Sequence, residues 1–296
     1  MKFLESDICA IIMHMKIKII LVKAFTNDSN AGNPAGVILN ADHLTVDQMH
    51  YIARGLNFSE SVFVLKSDKT DCRMRYFSPT KEVDYCAHAT LAGATVLRTM
   101  MAVETHETNA GVFKIAVDKQ SDLITLWQQA PTFGALIESA QLAPLLGVTT
   151  HDINPNMPCQ IVSTGVPKLM IPMQSLQSLQ AIQPDFEGIK QFCVSIGARG
   201  FYPFSTETIF QDSHFHARQF NPLAGIDEDP ITGIAAGALG AYWMHHHHDN
   251  VTPYIVEQGY NMGKFGKVYV TVSANAEQPV MIHGQSVIVG ETILDV

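Results

Sequence analysis

The sequence predicts an α+β fold of two similar lobes, each a strand-rich curved sheet or barrel around a buried helix of small residues. Three observations carry this expectation. Short β-branched and aromatic segments bounded by turn formers outnumber the helical patterns. Two helix patterns, ATLAGATVLRTM at 89–100 and GIAAGALGAYWM at 233–244, have no polar face, and a helix that is apolar all round is normally buried on every side. The chain also repeats itself. Arg75-Tyr76-Phe77-Ser78-Pro79 returns as Arg218-Gln219-Phe220-Asn221-Pro222, an offset (75 to 218) near half of the 296 residues.

The strand patterns fall at 16–25, 61–65, 72–77, 112–117 and 123–128, then at 160–164, 169–172, 200–204, 215–220, 254–258, 267–272 and 286–289. A helix is expected over 45–56, where Thr45 caps and Val46, Met49, Ile52, Ala53 and Leu56 share a face. Two more are expected at 138–146 and 185–195. Glycines inside the two apolar helices cost helix stability, which points to close packing against other backbone. Each copy of the repeat leaves a strand, runs through an acidic loop and enters its small-residue helix. The loops hold Glu82 and Asp84 in the first copy and Asp227, Glu228 and Asp229 in the second. A weaker match pairs Gly32-Asn33-Pro34 with Gly165-Val166-Pro167. The division that follows is an N-terminal lobe over 15–132 and a C-terminal lobe over 133–296, with 286–296 free to return to the first lobe. Met13 and Met15 both precede the first strand pattern, so residues 1–14 are expected to form an extension outside the fold.

Composition narrows the class. Apolar residues make up 47% of the chain, enough for a sizeable core. A formal charge of −9 lacks the basic stripe that a nucleic-acid surface needs. No run is long and uncharged enough to cross a bilayer, and Glu5 and Asp7 sit where a signal peptide would be positive. Cys9, Cys72, Cys86, Cys159 and Cys193 show no CxxC or zinc spacing, which suits free thiols in a reducing cytoplasm. Residues 259–264 lack the phosphate-loop spacing and no dinucleotide fingerprint is present. Four consecutive histidines, 245–248, cannot all face one ion and read as a polar helix end. His214 and His216 alternate around Phe215 and read as an exposed strand face. Neither a metal nor a cofactor is expected.

Chemistry is expected where the apolar helices begin, at Cys86-Ala87-His88-Ala89-Thr90 and Asp229-Pro230-Ile231-Thr232-Gly233. A helix start offers free backbone N–H groups and a partial positive charge. Two such starts across a cleft would hold a small carboxylate and stabilise a developing enolate. Removing a proton beside that carboxylate needs a base whose pKa burial has raised. Glu60, Glu82, Asp84, Glu228 and Asp229 all qualify by position, with His88 as a neutral partner.

Family motifs narrow the choice. Asn57-Phe58-Ser59-Glu60-Ser61 resembles the NLSET segment of the phenazine-biosynthesis PhzF-like isomerases. Cys86 to Thr90 resembles their AGHPT segment or its CGHAT variant, and Glu228 to Gly237 resembles their EDPxTGSAAG segment. Ala24-Phe25-Thr26, Gly32 to Val37 and Gln258 to Gly263 fall in the expected order. The resemblance runs from about residue 16 to the C-terminus. It implies a diaminopimelate epimerase-like fold and a homodimer. It further implies a cofactor-independent isomerase that moves a proton on a small carboxylic acid. By position Glu60 corresponds to the proton-carrying glutamate, and His88 and Asp229 to its two polar partners. Cys86, Ala87, Ala89, Thr232, Gly233 and Ile234 correspond to substrate contacts. Phe58 stands where Leu is common, a packing change, whereas Ala87 stands where Gly is usual and Ile234 where Ser is usual, and these two leave the identity of the acid open. Two other readings stand beside this one. The first is an amino-acid epimerase or racemase using Cys86 with Asp229 or Glu60. The second is a non-catalytic ligand-binding relative.

Overall fold

The computed structural model describes residues 15–248, 251–273 and 280–296. The extension expected at 1–14 lies outside the described residues. The first half runs β1 (Lys16–Ala24), β2 (Asn33–Ile38), α1 (Val46–Leu56), β3 (Ser61–Leu65), β4 (Cys72–Phe77), β5 (Glu82–Val83), α2 (Ala87–Leu97), β6 (Thr105–Thr108), β7 (Gly111–Val117) and β8 (Ile124–Trp127). The second half opens with β9 (Thr132–Ile137), α3 (Ser139–Leu146), β10 (Cys159–Ser163), β11 (Lys168–Pro172), α4 (Leu176–Ala181), α5 (Phe186–Ile196), β12 (Phe201–Ser205), β13 (Phe215–Ala217) and β14 (Gln219–Asn221). It closes with β15 (Ile226–Asp229), α6 (Gly233–His247), β16 (Tyr254–Gln258), β17 (Gly266–Val272), β18 (Val280–Gly284) and β19 (Ser286–Asp295).

Hydrogen bonding makes one continuous path of strands. It begins at β19 and passes through β1, β2, β3, β4 and β6 to β7. From β7 it continues through β8, β18, β17, β16, β13, β12, β11 and β10 to β9. The chain's last strand therefore lies antiparallel to its first described one, Lys16 opposite Asp295. The β8–β18 pair carries the ladder from one half to the other.

Helices fill the concavities as the apolar patterning requires. Every residue of α2 is buried, and α6 is buried from Gly233 to Tyr242. Their side chains belong to one hydrophobic core together with Val22, Val62, Met74, Val256 and Val270. By contrast α1 is amphipathic, burying Met49, Ile52 and Ala53 and held at its start by a Thr45–Gln48 capping box. Close packing explains the glycines of α6. A methyl on Gly240 would come within 2.6 Å of Val270, and one on Gly237 within 2.1 Å of the Gln128 Oε1.

The sequence repeat is also a repeat in space. Arg75 donates from Nε and Nη2 to the two carboxylate oxygens of Glu82, at 2.7 and 2.8 Å. Arg218 does the same to Glu228, at 2.9 and 2.8 Å. Each guanidinium also lies over the phenylalanine two residues on, Phe77 or Phe220. This fork-to-fork pairing ties the strand leaving each repeat to the segment that feeds its buried helix.

Several expectations change in detail. The acidic loops are strands, β5 and β15, because Glu82 and Glu228 are pulled onto β4 and β14 by these arginines. The single strand expected at 215–220 breaks at Arg218 into β13 and β14. Strands β2, β5, β6, β9, β15 and β18 go unannounced by periodicity. Helix α2 begins at Ala87, two residues before its apolar pattern. His214 and His216 do not form an exposed face. His216 is buried and its Nδ1 lies 2.7 Å from Glu257 Oε1, while His214 Nδ1 accepts from the Ile255 backbone. The histidines expected at a polar helix end do form the last turn of α6.

Candidate active site

The starts of α2 and α6 meet. A methyl placed on Gly233 would come within 3.2 Å of Ala87 Cβ. A cavity of about 590 Å³ opens beside them, lined by Cys86, Ala87, His88, Thr232, Gly233 and Ile234 among others. Glu60 and Asp229 share the same walls. Glu60 arrives from the residue directly before β3, and Asp229 is the last residue of β15. Ala89 is the exception among the expected contacts. It is fully buried inside α2 and outside the lining, and only its N–H turns toward the site, on the Cys86 thiol.

Three side chains form a tight cluster. Glu60 Oε2 lies 3.6 Å from Cys86 Sγ and 3.7 Å from His88 Nε2. Cys86 Sγ is 3.3 Å from His88 Nδ1. Burial, reinforced by the nearby charge of Asp229, lifts the Glu60 carboxyl to about 8. Burial, with Glu60 beside it, pushes the Cys86 thiol well above its ordinary range. Burial lowers His88 in spite of Asp229. At neutral pH the cluster therefore holds a protonated carboxyl, a thiol and a neutral imidazole. Glu60, Cys86 and His88 bring ligand atoms within 4.8 Å of one another, so they are the set that could hold an ion. Such binding would first have to remove the protons from Glu60 and Cys86.

Asp229 is anchored instead of exposed. Asn33, at the start of β2, donates from Nδ2 to Asp229 Oδ1 at 2.7 Å and to the Ile231 carbonyl at 2.9 Å. The Thr232 hydroxyl donates to Asp229 Oδ2. Gln258 takes the Asp229 carbonyl at 2.8 Å, and its Oε1 accepts from Tyr202 and from the Thr232 backbone. The Thr232 side chain and N–H are thus committed to holding the site. The other N–H groups of the first turns of α2 and α6 carry the partial positive charge that suits an anion.

Sequence reasoning missed three residues here. Lys168, the first residue of β11, is buried and lines the cavity. Gln128, just after β8, lines it too and donates to the Gly233 carbonyl at 3.2 Å. Asn33 was legible only as part of the Gly32-Asn33-Pro34 repeat match and the family segment that contains it. For Lys168 the available signal was a lysine opening an otherwise apolar strand, Lys168-Leu169-Met170-Ile171-Pro172.

A family model described as phenazine biosynthesis-like protein (PhzC-PhzF) matches residues 22–292. The Escherichia coli K12 protein named uncharacterized isomerase YddE is 37% identical over 289 residues, spanning 93% of this chain and 97% of its own. The trans-2,3-dihydro-3-hydroxyanthranilate isomerase of Pseudomonas fluorescens is 28% identical over 274 residues, 88% of this chain and 91% of its own. Among solved structures, the PhzF-family phenazine biosynthesis protein of Bacillus anthracis superposes with a TM-score of 0.86 at 34% identity, covering 95% of this chain and 100% of its own. A probable proline racemase from Agrobacterium radiobacter shares the fold, with a TM-score of 0.59 at 11% identity over 93% and 92% of the two chains.

Proposed function

The chain belongs to the phenazine biosynthesis-like PhzC-PhzF family, and on that premise we propose that it is an isomerase moving a proton on a small carboxylic acid with Glu60 as the proton carrier. One observation carries the reading. Glu60 is a buried carboxyl, lifted to about 8, in the cavity where two helix starts meet. A carboxylate of that basicity is far better matched to a carbon acid than an exposed glutamate.

In this reading the substrate carboxylate sits on the N–H groups that open α6 and α2. The ionised form of Glu60 takes a proton from carbon and, as the carboxylic acid, returns it elsewhere on the conjugated framework. Charge that builds on the substrate oxygens is met by the partial positive ends of both helices. His88, uncharged, and Cys86, a thiol, offer hydrogen bonds to Glu60 and to the substrate without adding a competing charge. Asp229, fixed by Asn33 and Thr232, keeps Glu60 basic. The chemistry runs on the chain's own side chains and requires neither cofactor nor metal. Relatives named as isomerases support the reaction class. The proposed enzyme works as a homodimer in the cytoplasm, which light scattering and fractionation would check. Among the described residues no helix is long and apolar enough to cross a membrane.

The test is solvent-deuterium incorporation into a panel of small carboxylic acids, followed by NMR. Wild type should exchange a carbon-bound proton of at least one acid. Glu60→Gln should abolish that exchange while its circular dichroism stays unchanged. Exchange that persists at the wild-type rate in Glu60→Gln sinks the assignment, and no exchange with any acid favours a ligand-binding relative.

A further inference from the structure

Lys168 is a buried cation that the chemistry above does not use. It opens β11, a strand buried at all five residues, and is 3% exposed. Its Nζ donates to the Arg199 carbonyl at 3.1 Å. An ammonium has three N–H donors, and no other hydrogen bond from this one is found among the described residues. No carboxylate there comes within 4.0 Å of it either, although Glu60 and Asp229 act on it through space. Leaving a buried charge without a close counter-ion is costly. Retaining one on the wall of a ligand cavity is the usual mark of a group that is completed by the ligand.

The helix starts already supply an anion seat in this cavity, so Lys168 is a second and chemically different one. About 590 Å³ is room enough for an acid that reaches both. We propose that Lys168 is the counter-ion for a second anionic group on the substrate, so that this chain acts on a dianionic acid with one carboxylate on the helix starts and the other acidic group on Lys168. The idea rests on the isomerase reading for the word substrate, while the binding preference stands apart from turnover.

Equilibrium binding separates the two. Dissociation constants would be measured by calorimetry or ligand-observed NMR for succinate, glutarate and adipate and for the monoamide of each, with wild type, Lys168→Met and Lys168→Arg. Each pair differs in one charge and hardly in shape. At least one dicarboxylate should bind wild type about tenfold or more tighter than its monoamide, the usual scale of a charged hydrogen bond. Lys168→Met should bring the pair level, and Lys168→Arg should keep much of the difference. Thermal melts of each variant control for folding. Equal binding within every pair, an undiminished preference in Lys168→Met, or no binding of any dicarboxylate at millimolar concentration overturns the proposal. Because no step of this assay needs proton transfer, a chain that binds diacids but exchanges no proton would keep this inference and lose the isomerase.

Discussion

Asn33 and Asp229 stand 196 positions apart in the chain and share a 2.7 Å hydrogen bond. Both Nδ2 hydrogens of Asn33 are donated, one to Asp229 and one to the Ile231 carbonyl, while Oδ1 accepts from Ser59 at 3.2 Å. An amide nitrogen cannot accept, so Asp229 Oδ1 must be the acceptor, and the Thr232 hydroxyl meets the other oxygen. The pair therefore fixes the carboxylate in place from two sides. Asn33→Leu should lower the exchange rate by at least about tenfold and cost about 1–3 kcal/mol of stability, because it leaves Asp229 and Ile231 short of a donor. The pH dependence of exchange should move as well, since Glu60 is held up partly by the Asp229 charge. Urea unfolding and a pH–rate profile measure the two effects. A destabilised variant whose pH profile is unchanged would reduce Asn33 to packing.

That bond also marks where sequence reading stops. The two buried helices were legible because they lack a polar face, and the two halves because the Arg-x-Phe-x-Pro segment returns. Cys86, His88 and Asp229 were legible because they flank those helix starts, whereas Glu60 was one of five acidic candidates by position and only its motif singled it out. Neither Asn33 nor Lys168 was ranked, since what distinguishes them is partnership with residues far along the chain. Strand β15 was missed for a related reason. Ile-Asp-Glu-Asp has the composition of a loop, and only the Arg218–Glu228 pairing and the bonding of Gln219 opposite Asp229 make it a strand. Ala89 errs the other way. It belongs to a motif that reaches the site, yet its own side chain faces the core.

Glu60 also makes a claim about stability. Its folded-state pKa of about 8 lies above the ordinary 4.5. The folded protein then binds a proton that the unfolded chain has released, so the contribution is fully present below pH 4.5 and is lost as pH rises toward 8. Glu60→Gln cannot titrate. Its stability relative to wild type should grow across that window and level off above it, by an amount on the order of a few kcal/mol. Urea midpoints at pH 5, 7 and 9 would show the gap opening. A constant gap at all three would mean that Glu60 titrates normally and is no better a base than a surface glutamate.

Cys86 decides between proton carriers. It stands at the N-cap of α2, a position that ordinarily favours a thiolate. Here burial and the neighbouring carboxyls win, and the thiol is held well above its usual pKa. In the second repeat the counterparts by placement are Asp229 and Thr232, and the Thr232 hydroxyl is committed to Asp229. A two-thiol proton relay across the substrate therefore has one neutral thiol and no second sulfur among the described lining residues. With Cys86 serving as a hydrogen-bond donor to Glu60 at 3.6 Å, Cys86→Ser should keep exchange within about tenfold of wild type, since a hydroxyl can replace that one bond. Alkylation by iodoacetamide at pH 8 should be slow beside that of a free thiol. Complete loss of exchange in a folded Cys86→Ser, together with rapid inactivation that substrate prevents, would transfer the proton-carrying role from Glu60 to sulfur and make the epimerase reading the better one.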